Sequence, residues 1–506
     1  MMAARGHGFP VSADPAKAEL TAGEIFQSPL SRPAPFAAHQ LRQIAEGAPL
    51  PDLHELDSTE AAIAREFSRA VRGEYAYDWR CHAWRFFDAP IWRFDQVGQA
   101  LLRLQEHQEQ RALNAISAGR TKADRDAVRT AVRSLETRKL KGLLDLVAVQ
   151  EGTRLGGDEF DRDPLLFAVK NGVIDLRSGT LRDGRPSDYL SLQSPIAQSE
   201  SAECPRFLQF LDEIFEGDAE LIGFVRRWAG YSLTGLTTEQ VFLCWWGAGS
   251  NGKSVLASTL EAILGTYAIT LPFATFTKAS ADGASATPDL ARLPGRRLAK
   301  ASEVRLTSRF DESRLKSLTG EDVISARPLY GQPFEFQPVA KLLFLFNDRP
   351  RVTDLSHAFW RRALLVPFRR QFTEAERDGQ LKDKLLAEAA GILRWMVKGC
   401  LEWQRLGLCP PAAVRSAVDE WRAESDLIAE FIGTACEPVP GVWVHTRDMY
   451  TAFQGWCQAE RIDDRERVGR RAFTVRLGAL AEVRRRGNGN GFVGLKPMFQ
   501  VAQVML

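Results

Sequence analysis

The chain has 506 residues, 45% of them hydrophobic and 26% charged, with a formal net charge of +2. That is enough for several buried cores, and it excludes a mini-protein, a collagen-like or coiled-coil rod and wholesale disorder. Near-neutral charge selects no class of partner, and seven scattered cysteines with no C-x-x-C pair argue against both a disulfide framework and a structural zinc site.

Residues 1–57 are rich in proline, alanine and polar side chains with little periodicity, which reads as a flexible arm. The opening Met1–His7 leads into no apolar signal core, and no apolar run approaches the roughly 20 residues of a bilayer span, so a cytoplasmic protein without a membrane partner is expected. From Thr59 to Arg72 the spacing of Ala61, Ile63, Ala64, Phe67 and Val71 predicts an amphipathic helix. Short aromatic strands follow around Trp79, Trp84, Phe86 and Trp92. Between Val97 and Val149 the periodicity is helical and one face is basic (Arg111, Arg120, Lys122, Arg138, Lys139, Lys141). It is either a solvated surface or one that follows DNA or another subunit. Turn-then-strand character at Asn171–Leu176 and a polar connector ending near Pro205 close a mixed domain over 58–200. Helices are expected from Phe207 to Leu233.

The strongest local signal is Gly247-Ala248-Gly249-Ser250-Asn251-Gly252-Lys253-Ser254, which satisfies G-x-x-x-x-G-K-[ST] at every position. It lies between an apolar strand-like run, Val241–Trp246, and a helix-like run, Val255–Leu264, the order that phosphate binding requires. Glycines let backbone amides close around phosphate oxygens, and a helix N-terminus favours their charge. Gly247, Gly249, Asn251, Gly252 and Val255 would therefore shape the cradle, Lys253 would reach the terminal phosphates and Ser254 would bind magnesium. ATP and Mg2+ are the expected cofactors.

Four features follow in order. Arg296–Glu303 reads as a strand ending in an acid, where Glu303 is either a second magnesium ligand or a solvated carboxylate. Lys316–Asp322 precedes two strand-like runs, Val323–Tyr330 and Pro333–Val339, that suggest a hairpin. Lys341–Phe346 is a buried strand by composition, and Asn347 at its end either contacts the γ-phosphate and water or belongs to a plain turn. Arg361 and Arg362 then precede another apolar strand, where a guanidinium could reach a neighbouring subunit's phosphate.

Residues 376–435 read as a helical connector. In 436–506 Thr446 could cap one helix, and a basic helix runs from Gly469 to Glu482. Arg484-Arg485-Arg486 with the glycine and asparagine turn after it suggests a hairpin. Helix, helix and β-wing is the order of a winged helix. Arg470, Arg471, Arg476 and Arg485 are its candidate DNA contacts, with a protein-docking wing as the alternative.

Together, G-x-x-x-x-G-K-S, A-S-E, K-x-L-T-G-E-D, L-F-N-D-R-P and W-R-R-x-x-x-x-P-F, in this order between 247 and 368, resemble superfamily III helicases. The likeness is to the helicase halves of phage, plasmid and satellite-phage primase-helicases, with the poxvirus primase-helicase more distant. The resemblance implies an α/β fold with an AAA+-like ATPase core over 201–375 and a hexameric ring with single-stranded or forked DNA in its channel. It implies movement from 3′ to 5′, and partners that include a separate primase or host replication proteins. Carried over by position, Lys253, Glu303, Asn347 and Arg362 are catalytic, Arg361 competes with Arg362 as the finger, and Ser254 and Glu303 hold magnesium. Lys316, Arg327 and Tyr330 face the DNA channel. Ser302-Glu303 stands where many such ATPases carry two acids. The residues before 58 lack paired carboxylates, so a helicase without priming is expected. The alternatives are an ATP-switched origin-binding scaffold and an AAA+ ATPase of defence or protein remodelling.

Overall fold

The structure is a computed structural model that describes residues 59–118, 136–277, 287–302, 310–350, 352, 357–462, 467–487 and 489–498. The expected arm at 1–57 lies outside the described residues, as do Arg120, Lys122 and Glu303. The chain divides into two compact units, one of residues 1–70 and 101–150, the other of 71–100 and 151–506.

In the first unit, helices α1 (Glu60–Ala70) and α3 (Thr137–Ala148) and most of α2 (Gln99–Ala118) bury Ile63, Phe67, Leu104, Leu140, Leu143 and Val147. Arg111 is ion-paired with Glu66, and Phe67 meets the His107 ring edge-on at 5.2 Å. Part of the basic face is therefore internal pairing, while Arg138, Lys139 and Lys141 are exposed.

The second unit begins with the aromatic strands β1 (Tyr75–Asp78), β2 (Ala83–Asp88) and β3 (Ile91–Phe94), joined by β4 (Arg154–Leu155) in the order β3-β2-β1-β4. A three-stranded sheet follows, made of β5 (Leu166–Val169), β6 (Gly172–Asp175) and β7 (Thr180–Arg182). The expected single domain over 58–200 is thus split. Parallel pairing of Tyr77 with Arg154 joins 71–100 to the chain after 150. The Tyr267 hydroxyl accepts the Ala168 amide at 3.0 Å, and the buried Arg297 donates to Leu166 O at 2.6 Å, fastening this region to the core.

The core is a five-stranded, wholly parallel sheet of β8 (Phe242–Trp246), β9 (Ala268–Thr270), β10 (Leu298–Ala301), β13 (Lys341–Phe346) and β14 (Ala363–Pro367). Their order is β14-β8-β13-β10-β9. Successive residues point to opposite faces of a strand, and here both faces are covered, so the strands are largely apolar, with Lys300 in β10 and Lys341 at the start of β13 as charged exceptions. Leu243, Trp245, Leu343, Leu345, Leu364 and Val366 pack under α4 (Pro205–Phe215), α5 (Ala219–Tyr231), α6 (Lys253–Leu264) and α10 (Ala389–Leu406). Phe242, Cys244, Leu342, Phe344, Phe346 and Leu365 pack on the other side with Phe310, Phe359 and Trp421.

Between β10 and β13 stand α7 (Glu312–Thr319) and the expected hairpin, β11 (Ile324–Ala326) with β12 (Phe334–Phe336), registered Ile324 to Phe336 and Ala326 to Phe334. The short α8 (His357–Trp360) leads into β14, and past that strand helices α9 (Leu381–Ala387) and α11 (Ala412–Glu424) flank α10. The chain ends in α12 (Leu427–Ala435), β15 (Cys436–His445), α13 (Thr446–Ala459), α14 (Arg470–Leu480), β16 (Glu482–Arg486) and β17 (Gly489–Pro497), with sheet order β15-β17-β16.

Two expectations change here. Helix α12 belongs to this last module and not to a connector, because Leu427, Ile428 and Phe431 pack with Phe453, Trp456, Phe473 and Phe492. His445, not Thr446, caps α13: its Nδ1 accepts the Arg447 amide at 3.0 Å, while the Thr446 hydroxyl donates to Asn490 O at 2.7 Å.

Candidate nucleotide site and nucleic-acid interface

Parallel strands bring their C-terminal ends to one edge of a sheet, where α/β folds gather ligand-binding loops. At that edge β8 runs into the glycine loop and the loop opens α6. Gly252, the N-cap of α6, has φ +84°, and a Cβ there would sit 2.6 Å from Ile214 Cγ2 and against the Phe210 ring. Only glycine lets the loop enter the helix at this approach.

Lys253 follows with its side chain 5% exposed. An ammonium has three donors, and its Nζ donates to Gly247 O at 2.5 Å, Asn251 Oδ1 at 3.1 Å and Asn347 Oδ1 at 3.2 Å. All three acceptors are neutral. Burial without a carboxylate penalises the charged form, and the amine is pushed down from its ordinary range to about 8. A glycine loop at a helix N-terminus, with a buried cation that no acid compensates, suits an oxyanion such as a phosphate chain.

Ser254, in the first turn of α6, is exposed, and Val255 is half-buried. Asn251 is 3% exposed and also donates from Nδ2 to Phe368 O at 3.4 Å. Among the residues singled out from sequence, Lys253, Asn251 and Asn347 are brought together. Glu303 lies outside the described residues. Among the described residues no group of three or more His, Cys, Asp or Glu side chains gathers as a metal cluster.

Arg361 and Arg362 lie at the opposite edge. The Arg362 carbonyl accepts the Phe242 amide at 2.9 Å, at the start of β8. Five strand residues at about 3.3 Å each separate that point from the glycine loop by roughly 16 Å. Arg361 is exposed, whereas Arg362 is half-buried and donates from Nη1 to Ala358 O at 3.1 Å. Burial, with Arg361 alongside, draws the Arg362 guanidinium below its usual range.

At the hairpin tip Tyr330 is 98% exposed, with Leu329 beside it at 63%. Arg327 is exposed and donates from Nε to Gly331 O at 3.3 Å, which places its guanidinium at the same tip. Lys316 sits apart from them, half-buried on α7. In the C-terminal module Arg470 and Arg471, in the first turn of α14, are exposed, as is Arg485 on β16. Arg476 is drawn inward: its Nε donates to Asp426 Oδ2 at 2.8 Å, and Asp426 also caps α12 through the Ile428 and Ala429 amides.

Two residues at the edge of the site are not among those singled out from sequence. Arg377 donates from Nη2 to the Ser250 hydroxyl at 2.8 Å. Arg349 stacks 4.2 Å from the Trp246 ring centroid while pairing with Glu420 and Glu424 of α11. Arg377 stands within no recognisable pattern, while Arg349 belongs to L-F-N-D-R-P, a motif that does not foretell its contacts with Trp246 and α11.

The family described as D5 N terminal like matches residues 61–216, and a family of unknown function, DUF5906, matches 245–362. Over 386 residues the chain is 29% identical to a protein of Frog virus 3 (isolate Goorha) named as helicase 022R, covering 60% of this chain and 40% of that one. It is 28% identical over 319 residues to one of Acanthamoeba polyphaga mimivirus named as helicase L207/L206, covering 58% of this chain and 33% of that one. A protein of African swine fever virus (isolate Tick/Malawi/Lil 20-1/1983) named as primase C962R is 28% identical over 210 residues, 40% of this chain and 22% of that one. The chain thus spans well under half of the length of these relatives. The apo structure of the NrS-1 C-terminal region superposes with a TM-score of 0.46 at 11% identity, covering 81% of this chain and 84% of that one. The chain is thus similar, over part of their length, to viral proteins named as helicases and primases. Among the described residues no helix is long and apolar enough to cross a membrane.

Proposed function

We propose that the chain is the motor part of an ATP-dependent DNA helicase serving replication of a phage, plasmid, virus-like or other mobile genome. The observation that carries this reading is the buried Lys253 ammonium held at the C-terminal edge of a parallel sheet by Gly247 O, Asn251 and Asn347. The names of the viral relatives agree with it. In this reading the core is an AAA+-like P-loop ATPase. Lys253 and the loop amides take the phosphates of ATP, and Ser254 with Glu303 holds Mg2+, which neutralises the developing charge. Asn347 passes from Lys253 to the γ-phosphate or the attacking water once a phosphate replaces it as the lysine's partner.

The distance of Arg361 and Arg362 from their own loop favours action across a subunit interface, in a homo-hexameric ring that moves from 3′ to 5′. Arg361 is the better finger, because Arg362 already holds Ala358 O. The 324–336 hairpin presents Tyr330 and Arg327 to single-stranded DNA, by stacking and phosphate pairing. The module over 427–498 acts as a winged helix, meeting duplex DNA through Arg470, Arg471 and Arg485.

The test is separation of a labelled forked duplex with ATP and Mg2+, beside DNA-stimulated hydrolysis. Wild type should do both, and Lys253→Ala should lose at least about a hundredfold in each. Hydrolysis and fork binding without any strand opening would instead favour an assembly switch.

A further inference from the structure

The segment that leaves β14 folds back over the glycine loop. Phe368 donates its amide to Trp246 O at 2.7 Å, and its carbonyl accepts from Asn251. Four residues on, the Phe372 amide donates to Ser250 O at 2.8 Å. A single turn, Glu374–Glu376, then brings Arg377 onto the Ser250 hydroxyl at 2.8 Å.

The acids on either side of Arg377 in the chain already have partners. Glu376 receives the Thr373 amide and hydroxyl, both at 2.9 Å, and pairs with Arg370, while Asp378 pairs with Lys384 at 2.7 Å. Arg377 faces a neutral hydroxyl instead, on a loop residue held at φ +47°. A guanidinium gains more from a phosphate than from a hydroxyl, because the bond becomes charge-assisted and can be bidentate.

We infer that Arg377 is a second cation of the nucleotide site, swinging from Ser250 onto the phosphate chain of the bound nucleoside triphosphate in the same subunit. This rests on the reading of the glycine loop as an ATP site. Lys253 meets the phosphates from within the fold and Arg377 from the solvent side. The Phe368–Arg377 strap is then the moving part that registers whether the loop is filled.

The experiment is titration of the full chain with a fluorescent ATP analogue, followed by competition with ATP, ADP and adenosine, for wild type, Arg377→Ala, Arg377→Lys and Arg369→Ala. Arg369 is exposed and eight residues away, and serves as the control for general surface charge. Arg377→Ala should weaken ATP at least about tenfold, Arg377→Lys should recover part of that, and Arg369→Ala should match wild type. Adenosine competition should be the same in every variant. Equal ATP affinity in wild type and Arg377→Ala, or an equal loss for adenosine, overturns the inference while leaving the ATP site standing. Failure of wild type to bind ATP, with Lys253→Ala no worse, overturns both. Should the alanine variant not fold, Arg377→Gln and Arg377→Lys carry the same comparison.

Discussion

Lys253 is a cation surrounded by carbonyl and amide oxygens, and its burial there pushes its amine down to about 8. Phosphate favours the ammonium, so binding raises that value again. The sign follows: affinity for ATP is constant below pH 8 and falls as the pH rises through 8, by up to about tenfold per unit until the bound-state value is reached. The same burial costs stability at neutral pH when no anion is bound, and the penalty is relieved as the pH rises from about 8 towards the ordinary lysine range. ATP titrations between pH 7 and 9.5 measure the first effect. Lys253→Arg, which cannot lose its proton in this range, should give weaker binding with a flat profile. A wild-type profile as flat as the arginine variant's would mean that the lysine does not meet the phosphate as a titrating group.

At the scale of elements, the packing of α5 on α10 decides whether the sheet face above the loop holds together. A methyl at Gly230 would lie 2.0 Å from the Cys400 amide nitrogen, so the two helices touch backbone to backbone. Gly230→Ala must push them apart and should cost roughly 3 kcal/mol of stability, read as a lower thermal midpoint with nucleotide affinity nearly kept in the fraction still folded. Nothing in the periodicity of Ala219–Tyr231 distinguishes this glycine from a tolerated one, because the partner helix is some 170 residues away. The strand and helix around the loop were legible for the opposite reason: apolar runs of the right length bracket a motif whose chemistry is local. Four of the five strands and the 324–336 hairpin were legible in the same way, while the short edge strand Ala268–Thr270 was not. The unit boundaries were not, since the β1–β4 pairing and the Arg297 tie join segments that look separate along the chain. Within the site, Lys253 was readable from the glycine-loop motif and Asn347 as an amide at a strand end. Arg377 was not, being placed by long-range return of the chain, and Arg349 was readable only as a member of its motif, since its pairing with α11 is long-range. Arg476 looked like its neighbours Arg470 and Arg471 until the Asp426 carboxylate claimed it.

Across the whole molecule, a phosphate loop at one sheet edge and two arginines at the other make each proposed site a joint product of two copies. Chains carrying Lys253→Ala keep their arginines, and chains carrying Arg361→Ala keep their lysine. Mixed in equal amounts and allowed to reassemble, they place an intact loop against an intact arginine at roughly a quarter of the interfaces of a closed ring. ATP hydrolysis should therefore appear on mixing two preparations that are each nearly inactive. Continued silence would show that Arg361 is not supplied across an interface, and the same mixture with Arg362→Ala assigns the role between the adjacent pair.

Only Ser425 and Asp426 stand between the end of α11, which belongs to the core, and the start of α12, which belongs to a cluster of its own around Phe431, Phe453 and Phe473. So short a junction between two self-sufficient interiors is a natural point of exchange for recombination. On the proposed reading, residues 427–498 are exchangeable as a cassette, which would change where the protein binds DNA and leave the nucleotide site upstream as it is.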